Sequence, residues 1–193
     1  MTGLILCGGA GSRLGQEKGL LNFHGQPQYQ FLYGVLEGLL GKAVLSCKKA
    51  QEPLFKPDMK KVFDSPMYDN AGPLTGILSA HRHFPDEEFV VMACDYPNVN
   101  KQTLGKFLDH LQGGKLTIFY NADSGFYETV LGYYPIMALK ELDMFYKSGG
   151  RSIQDFIRVN EVSPYTPADP DFFLNINTHE DLIVYLENKA SIL

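Results

Sequence analysis

What most constrains this chain is an alternation between short, wholly apolar runs and longer stretches of helical spacing. Leu4-Ile5-Leu6-Cys7, Ala43-Val44-Leu45-Ser46-Cys47, Lys61-Val62-Phe63-Asp64, residues 89–94 and residues 116–120 have the length and composition of strands. Runs without polar alternation point to strands covered on both faces, as in a parallel sheet with crossover helices. Helical spacing occupies residues 29–40, with Gly41 as the stop, then 74–83 and 103–111, where Asn100 is placed to cap. The pattern predicts an α/β, Rossmann-like fold: a mostly parallel, twisted sheet with helices on both faces, in one domain over residues 1–193.

The later third is less regular. Residues 128–134 read as a strand, 136–146 as a helix, 153–157 as a short helix and 172–174 as a last strand closing on Asn175-Ile176-Asn177. Thr178 and Asp181 have the spacing of a capping box for a final helix. In open α/β sheets the binding crevice lies beyond the carboxyl ends of the strands. Four chemically notable segments fall at such ends: residues 8–18, Asp64, Asp95 and residues 175–177.

A formal net charge of -5 argues against nucleic acid or an anionic membrane as partner, so a polyanionic substrate needs a locally basic site. The three cysteines, Cys7, Cys47 and Cys94, lie in apolar runs without metal-ligand spacing, the usage of reduced, buried thiols in a cytoplasmic protein. No segment reaches the roughly 20 apolar residues of a membrane helix. The N-terminus runs straight into a strand pattern and has no basic region of a signal peptide.

Residues 6–18, Leu-Cys-Gly-Gly-Ala-Gly-Ser-Arg-Leu-Gly-Gln-Glu-Lys, form a glycine-rich loop carrying two cations, Arg13 and Lys18. Glycines let a backbone approach a ligand closely, and successive N–H groups can then point at phosphate oxygens. The spacing excludes a Walker A loop, since Lys18 lies between Glu17 and Gly19. It also excludes GxGxxG, since Gly9-Ala10-Gly11-Ser12-Arg13 continues with Leu14. Arginine offers a fork for phosphate and lysine a compact point charge, the pair that attack on a triphosphate needs. Asp95 ends an apolar strand, where an unpaired carboxylate is costly and a bound Mg²⁺ would relieve it.

The loop, continued through Gly19-Leu20-Leu21, resembles the motif of molybdenum cofactor guanylyltransferases. The resemblance continues in order through Gly25-Gln26-Pro27, residues 72–77, Cys94-Asp95-Tyr96-Pro97 and Asn175-Ile176-Asn177-Thr178. It implies a nucleotidyltransferase fold and transfer of GMP from GTP to the terminal phosphate of molybdopterin, with release of pyrophosphate. It further implies Mg²⁺ as cofactor, held by Asp95, and catalytic roles for Arg13, Lys18 and Asp95. Transient contacts with other molybdenum cofactor biosynthesis proteins belong to the same expectation. The nucleotide would lie against Leu6, Cys7, Gly8, Gly9, Lys18, Ser46, Asp64, Gly72, Pro73, Gly76 and Asp95, and the pterin against Arg151, Asn175 and Asn177.

Several positions keep a second reading. Asp64 can simply begin an Asp-Ser-Pro turn, Arg151 can be a surface arginine, and one of the two asparagines can tie its turn. Gly8-Gly9 leans toward guanine, because similar cytidylyltransferases have Ala-Gly there. Ser46 departs from the family's Asn-x-Asn at the second strand, Cys7 from its alanine and His179 from its proline. An NTP transferase using another base or phosphorylated acceptor, and a non-catalytic nucleotide-binding protein, remain the alternatives.

Overall fold

The computed structural model describes residues 1–8, 17–69 and 71–190, the last three by their backbone. The apolar run at the start becomes β1 (Thr2–Leu6), every residue of it buried. It pairs in parallel on one side with β2 (Ala43–Cys47) and on the other with β4 (Phe89–Ala93), and β2 pairs in parallel with β3 (Lys61–Phe63). β6 (Phe126–Tyr134) then enters antiparallel between β4 and β5 (Thr117–Asn121), and β7 (Ser163–Tyr165) closes the far edge parallel to β5. The sheet order is β3-β2-β1-β4-β6-β5-β7, mostly parallel as the sequence predicts.

Helices cover both faces. α1 (Gln28–Leu40) packs on β1 and β2 and meets α3 (Lys101–His110), while α2 (Pro73–His83) packs on β1, β2 and β3 and meets α4 (Ile136–Lys147). Two glycines permit this spacing. A Cβ on Gly3 of β1 would fall 2.6 Å from Leu36 Cβ of α1, and one on Gly76 of α2 would fall 2.7 Å from Ser46 Oγ of β2. Both contacts are too close for any side chain, so helix and sheet approach by backbone on each face. Asn100 caps α3 as expected, accepting from the Thr103 amide at 2.9 Å.

One expectation fails. Residues 172–174 are not a strand: Pro170–Phe173 forms a 3₁₀ turn, started by Pro170 and capped by Asp169, whose carboxylate accepts from the Asp171 amide at 3.0 Å. Phe172 is nonetheless fully buried and stacks on Phe119, so the apolar run serves packing rather than pairing. The strand in that region is instead β7, a three-residue element with Pro164 in its centre. Proline is tolerated there because β7 is an edge. α5 (Ile153–Arg158) and α6 (His179–Ala190) complete the fold.

Candidate active site

The parallel strands β1 and β4 end side by side, Leu6 in register with Ala93, so their continuations leave the sheet together. Cys7 and Cys94 follow, with Sγ atoms 3.1 Å apart; both are free thiols, and burial pushes that of Cys7 well up. Gly8 and Asp95 come next. The two segments named as phosphate loop and metal carboxylate thus start from adjacent points at the carboxyl edge of the sheet.

Between Gly8 and the start of α2 opens a cavity of about 800 Å³. Leu6, Gly8, Ser46, Asp64, Gly72, Pro73 and Gly76 of the expected nucleotide residues line it. Gly72, at φ +57°, turns the chain into Pro73 and α2. The first amides of that helix are not free: those of Leu74 and Thr75 are accepted by the carbonyls of Ala71 and Gly72 at 3.2 and 3.1 Å. Gly72, Pro73 and Gly76 therefore give the cavity surface rather than a row of open donors.

Asp64 faces this space. Its turn is organised by Ser65, whose Oγ accepts from the Met67 amide at 3.3 Å, so the Asp64 side chain is not spent on turn chemistry. Its carboxylate lies toward Gly8, where a Cβ would sit 3.5 Å from Oδ2. Burial raises the Asp64 carboxyl above its usual range, and Lys48 across the cavity lowers it in part. Lys48, Lys49 and Thr75 also line the cavity and were not singled out from sequence. The lysines follow directly on Ser46-Cys47, and two cations beyond a strand end were the available signal.

The second part of the site is a polar cluster beside that cavity. Lys18 begins a 3₁₀ turn (Lys18–Leu20), and its Nζ donates to Asp95 Oδ2 at 3.0 Å and to Asn177 Oδ1. Asn177 in turn donates through Nδ2 to Asn175 Oδ1 at 2.5 Å. These residues come together through apolar neighbours. Leu21 and Phe23 after the 3₁₀ turn bury with Ile176 and Tyr185 in a small separate core. Ile176 alone, only 1% exposed, contributes about 1.5–3 kcal/mol by burial and draws its two flanking asparagines to Lys18. The Ile176 amide also donates to the Asp95 carbonyl at 2.8 Å. The Asn175–Asn177 segment thus reaches the site without following a strand, against the sequence expectation. The expected capping box does form: Asp181 accepts from the amides of Asn177 and Thr178, and its own amide donates to Thr178 Oγ1.

Asp95 carries the observation that matters most for chemistry. Oδ2 is paired with Lys18, whereas Oδ1 is buried and has no hydrogen-bond partner among the described residues. Such an oxygen is costly unless a cation or donor completes it. Among the described residues no group of three His, Cys, Asp or Glu side chains could hold a metal ion. A buried carboxylate oxygen of this kind fits a hard cation that takes its remaining ligands from phosphate and water.

Two further residues join this cluster. The Tyr96 hydroxyl donates to Glu128 Oε2 at 2.7 Å and is hydrogen-bonded with the Asn175 side chain, and burial drives its pKa upward. Arg151, by contrast, is exposed and engaged elsewhere. It donates to the carbonyls of Tyr146 and Gly150 at 2.9 and 2.7 Å and lies 4.1 Å over the Tyr146 ring. Gly9 and Arg13 lie outside the described residues. No described helix is long and apolar enough to cross a membrane.

Residues 3–162 match the model of the MobA-like NTP transferase domain. The molybdenum cofactor guanylyltransferase of Ectopseudomonas mendocina is 31% identical over 93% of this chain and 88% of its own length. A molybdenum cofactor biosynthesis bifunctional protein of Synechocystis is 29% identical over 94% of this chain, which spans only 52% of that protein. Among solved structures, the molybdopterin-guanine dinucleotide biosynthesis protein A of Archaeoglobus fulgidus superposes with a TM-score of 0.79 at 25% identity, covering 99% of this chain and 100% of that one.

Proposed function

The chain belongs to the MobA-like NTP transferase domain family, and we propose on that footing that it transfers GMP from GTP to the terminal phosphate of molybdopterin. The observation that carries the proposal is the Lys18–Asp95–Asn177 cluster beside the cavity floored by Gly8 and Gly76. In this reading the nucleoside occupies the cavity and the triphosphate extends from Gly8 toward Lys18. Lys18 neutralises the phosphates from a fixed position, and Arg13 supplies a second cation. Asn175 and Asn177 present amide groups where the acceptor phosphate would meet the α-phosphorus.

Mg²⁺ would be held by Asp95 through the unpartnered Oδ1, with Asn177 beside it, and would supply charge neutralisation and Lewis acidity at the phosphates. An oxygen of the pterin phosphate forms the new bond to the α-phosphorus of GTP, and the α–β anhydride bond breaks to release pyrophosphate. A phosphate monoester, with a second pKa of about 6, is already a nucleophile at neutral pH. No strong general base is therefore required, and positioning with electrostatic stabilisation carries the rate. The Synechocystis relative, a bifunctional biosynthesis protein, supports transient contacts with other proteins of the same synthesis.

The test is pyrophosphate release by the purified protein with each nucleoside triphosphate in turn, with and without molybdopterin and Mg²⁺. Release is expected with GTP only when both pterin and metal are present. Binding of GTP with no transfer to any pterin acceptor would overturn the proposal.

A further inference from the structure

Gln51 is an internal residue of a 3₁₀ turn (Lys49–Leu54) that follows β2, and it is 6% exposed. Its side-chain amide is used at both ends. Oε1 accepts from the Lys48 amide at 2.8 Å, and Nε2 donates to Glu17 Oε2 at 2.7 Å. The orientation of the amide is fixed by its partners, because a backbone N–H can only donate and a carboxylate can only accept. The two partners belong to different parts of the site. Lys48 lines the nucleoside cavity, and Glu17 is the residue immediately before Lys18, at the end of the glycine-rich loop.

We propose that Gln51 is a positioning residue that ties the far end of the phosphate loop to the rim of the nucleoside cavity, so that Lys18 and Lys48 are held in one frame. The tie spans 34 positions of sequence between Glu17 and Gln51, and nothing else described joins these two segments by side-chain hydrogen bonds. Burial matters here, since little water reaches Gln51 to substitute for either bond. The effect on the reaction comes through geometry alone: Gln51 touches no reacting group, but a displacement of about 1 Å in a charged group that grips phosphate can cost on the order of a hundredfold in rate.

The bond to Lys48 offers a simpler account. A Glu or Gln three residues after the cap commonly returns a bond to the cap amide, and that local role alone would explain why Gln51 is here. The two accounts separate on one substitution. Glutamate preserves acceptance from the Lys48 amide, so a purely local role predicts that the new carboxylate beside Glu17 costs Gln51→Glu stability but leaves its kcat/KM as in wild type. As a link to Glu17 it must fail, because two carboxylates then face each other with no donor between them. Adding Glu17→Gln restores a donor and an acceptor in reversed order.

The inference rests on the nucleotide-site reading above, so GTP binding is measured alongside turnover, with Mg²⁺ and the intact chain. Gln51→Glu is expected to lower kcat/KM for GTP roughly tenfold to a hundredfold, with circular dichroism unchanged. The Gln51→Glu/Glu17→Gln double variant is expected to recover to within about threefold of wild type, a rescue no local cap would produce. Wild-type kinetics in Gln51→Glu, or a double variant no better than the single one, would overturn the tie while leaving the function intact. A wild-type protein with no affinity for GTP would overturn both.

Discussion

Replacing Lys18 with methionine keeps the apolar stem and removes the charge, and the structure sets the size of two separate effects. Nζ is 3.0 Å from Asp95 Oδ2, which at an effective dielectric of about 20 corresponds to a gross attraction of roughly 5 kcal/mol. The side chains are 28% and 19% exposed, so screening and desolvation offset most of it. The net loss on breaking the pair lies between exposed and fully buried cases, about 1–3 kcal/mol. In a protein of this size that lowers Tm by about 2–12 °C. The catalytic effect is larger, since a preorganised group aimed at developing charge is worth about 10²–10³ in kcat. Differential scanning fluorimetry and pyrophosphate release measure the two independently. Adding Asp95→Asn to Lys18→Met removes the stranded carboxylate, so Tm should return toward wild type while turnover stays lost. Turnover within tenfold of wild type in Lys18→Met, or recovery of turnover together with Tm in the double variant, would refute the reasoning by making the pair merely structural.

Gly76→Ala places a Cβ 2.7 Å from Ser46 Oγ and 3.0 Å from Leu6 Cδ2. Overpacking should outweigh the gain in helix propensity and leave a net loss of about 1–2 kcal/mol in urea denaturation. Ser46→Ala in the same chain should recover part of it, and a wild-type midpoint in the single variant would contradict the contact. Two amides hold the Asp181 carboxyl below the usual carboxylate range. Its stabilisation is therefore complete above the unfolded pKa of about 3.9 and lost as pH falls through the folded value. Asp181→Asn should accordingly lower Tm at pH 7, with the gap from wild type closing below about pH 4. Asp64 has the opposite sign: burial raises its carboxyl, so any stabilisation is complete below about pH 3.9 and lost as pH rises through the folded value. Asp64→Asn should raise Tm at pH 7, less so toward pH 4, whereas a gain independent of pH would show that charge burial is not the cause.

These predictions fall on two kinds of residue, and the difference explains what could be read in the chain before its fold was known. Strands β1, β2 and β4 were legible because burial on both faces demands uninterrupted apolar residues, a condition local in sequence. Phe172 and Phe173 satisfy the same condition in a 3₁₀ turn, and a short apolar run alone does not say whether it buries by pairing or by stacking. β7 failed the test in reverse, since an edge strand can hold Pro164 and need not be apolar. The antiparallel insertion of β6 between β4 and β5 has no local mark either, because the direction of a partner is a tertiary property.

The site divides along the same line. Gly8, Lys18, Asp64 and Asp95 stood out because strand ends beside glycine, or charge after an apolar run, are unusual locally. Lys48, Lys49 and Gln51 did not, because their significance lies in partners brought to them by the fold. Asn177 is the instructive intermediate: the motif was visible, but the reason it works was not. Its amide reaches Lys18 because Ile176 buries against Leu21 and Phe23, so a small apolar core builds the polar cluster. Truncating Ile176 to alanine, a change of about 2–5 kcal/mol at a buried site, should therefore cost activity as well as stability. Added Mg²⁺ and GTP should raise the Tm of that variant less than they raise that of wild type, because its Asn177 no longer closes on Lys18 and Asp95. An equal ligand-induced rise in both would place the apolar core outside the site's construction and leave Ile176 as a packing residue only.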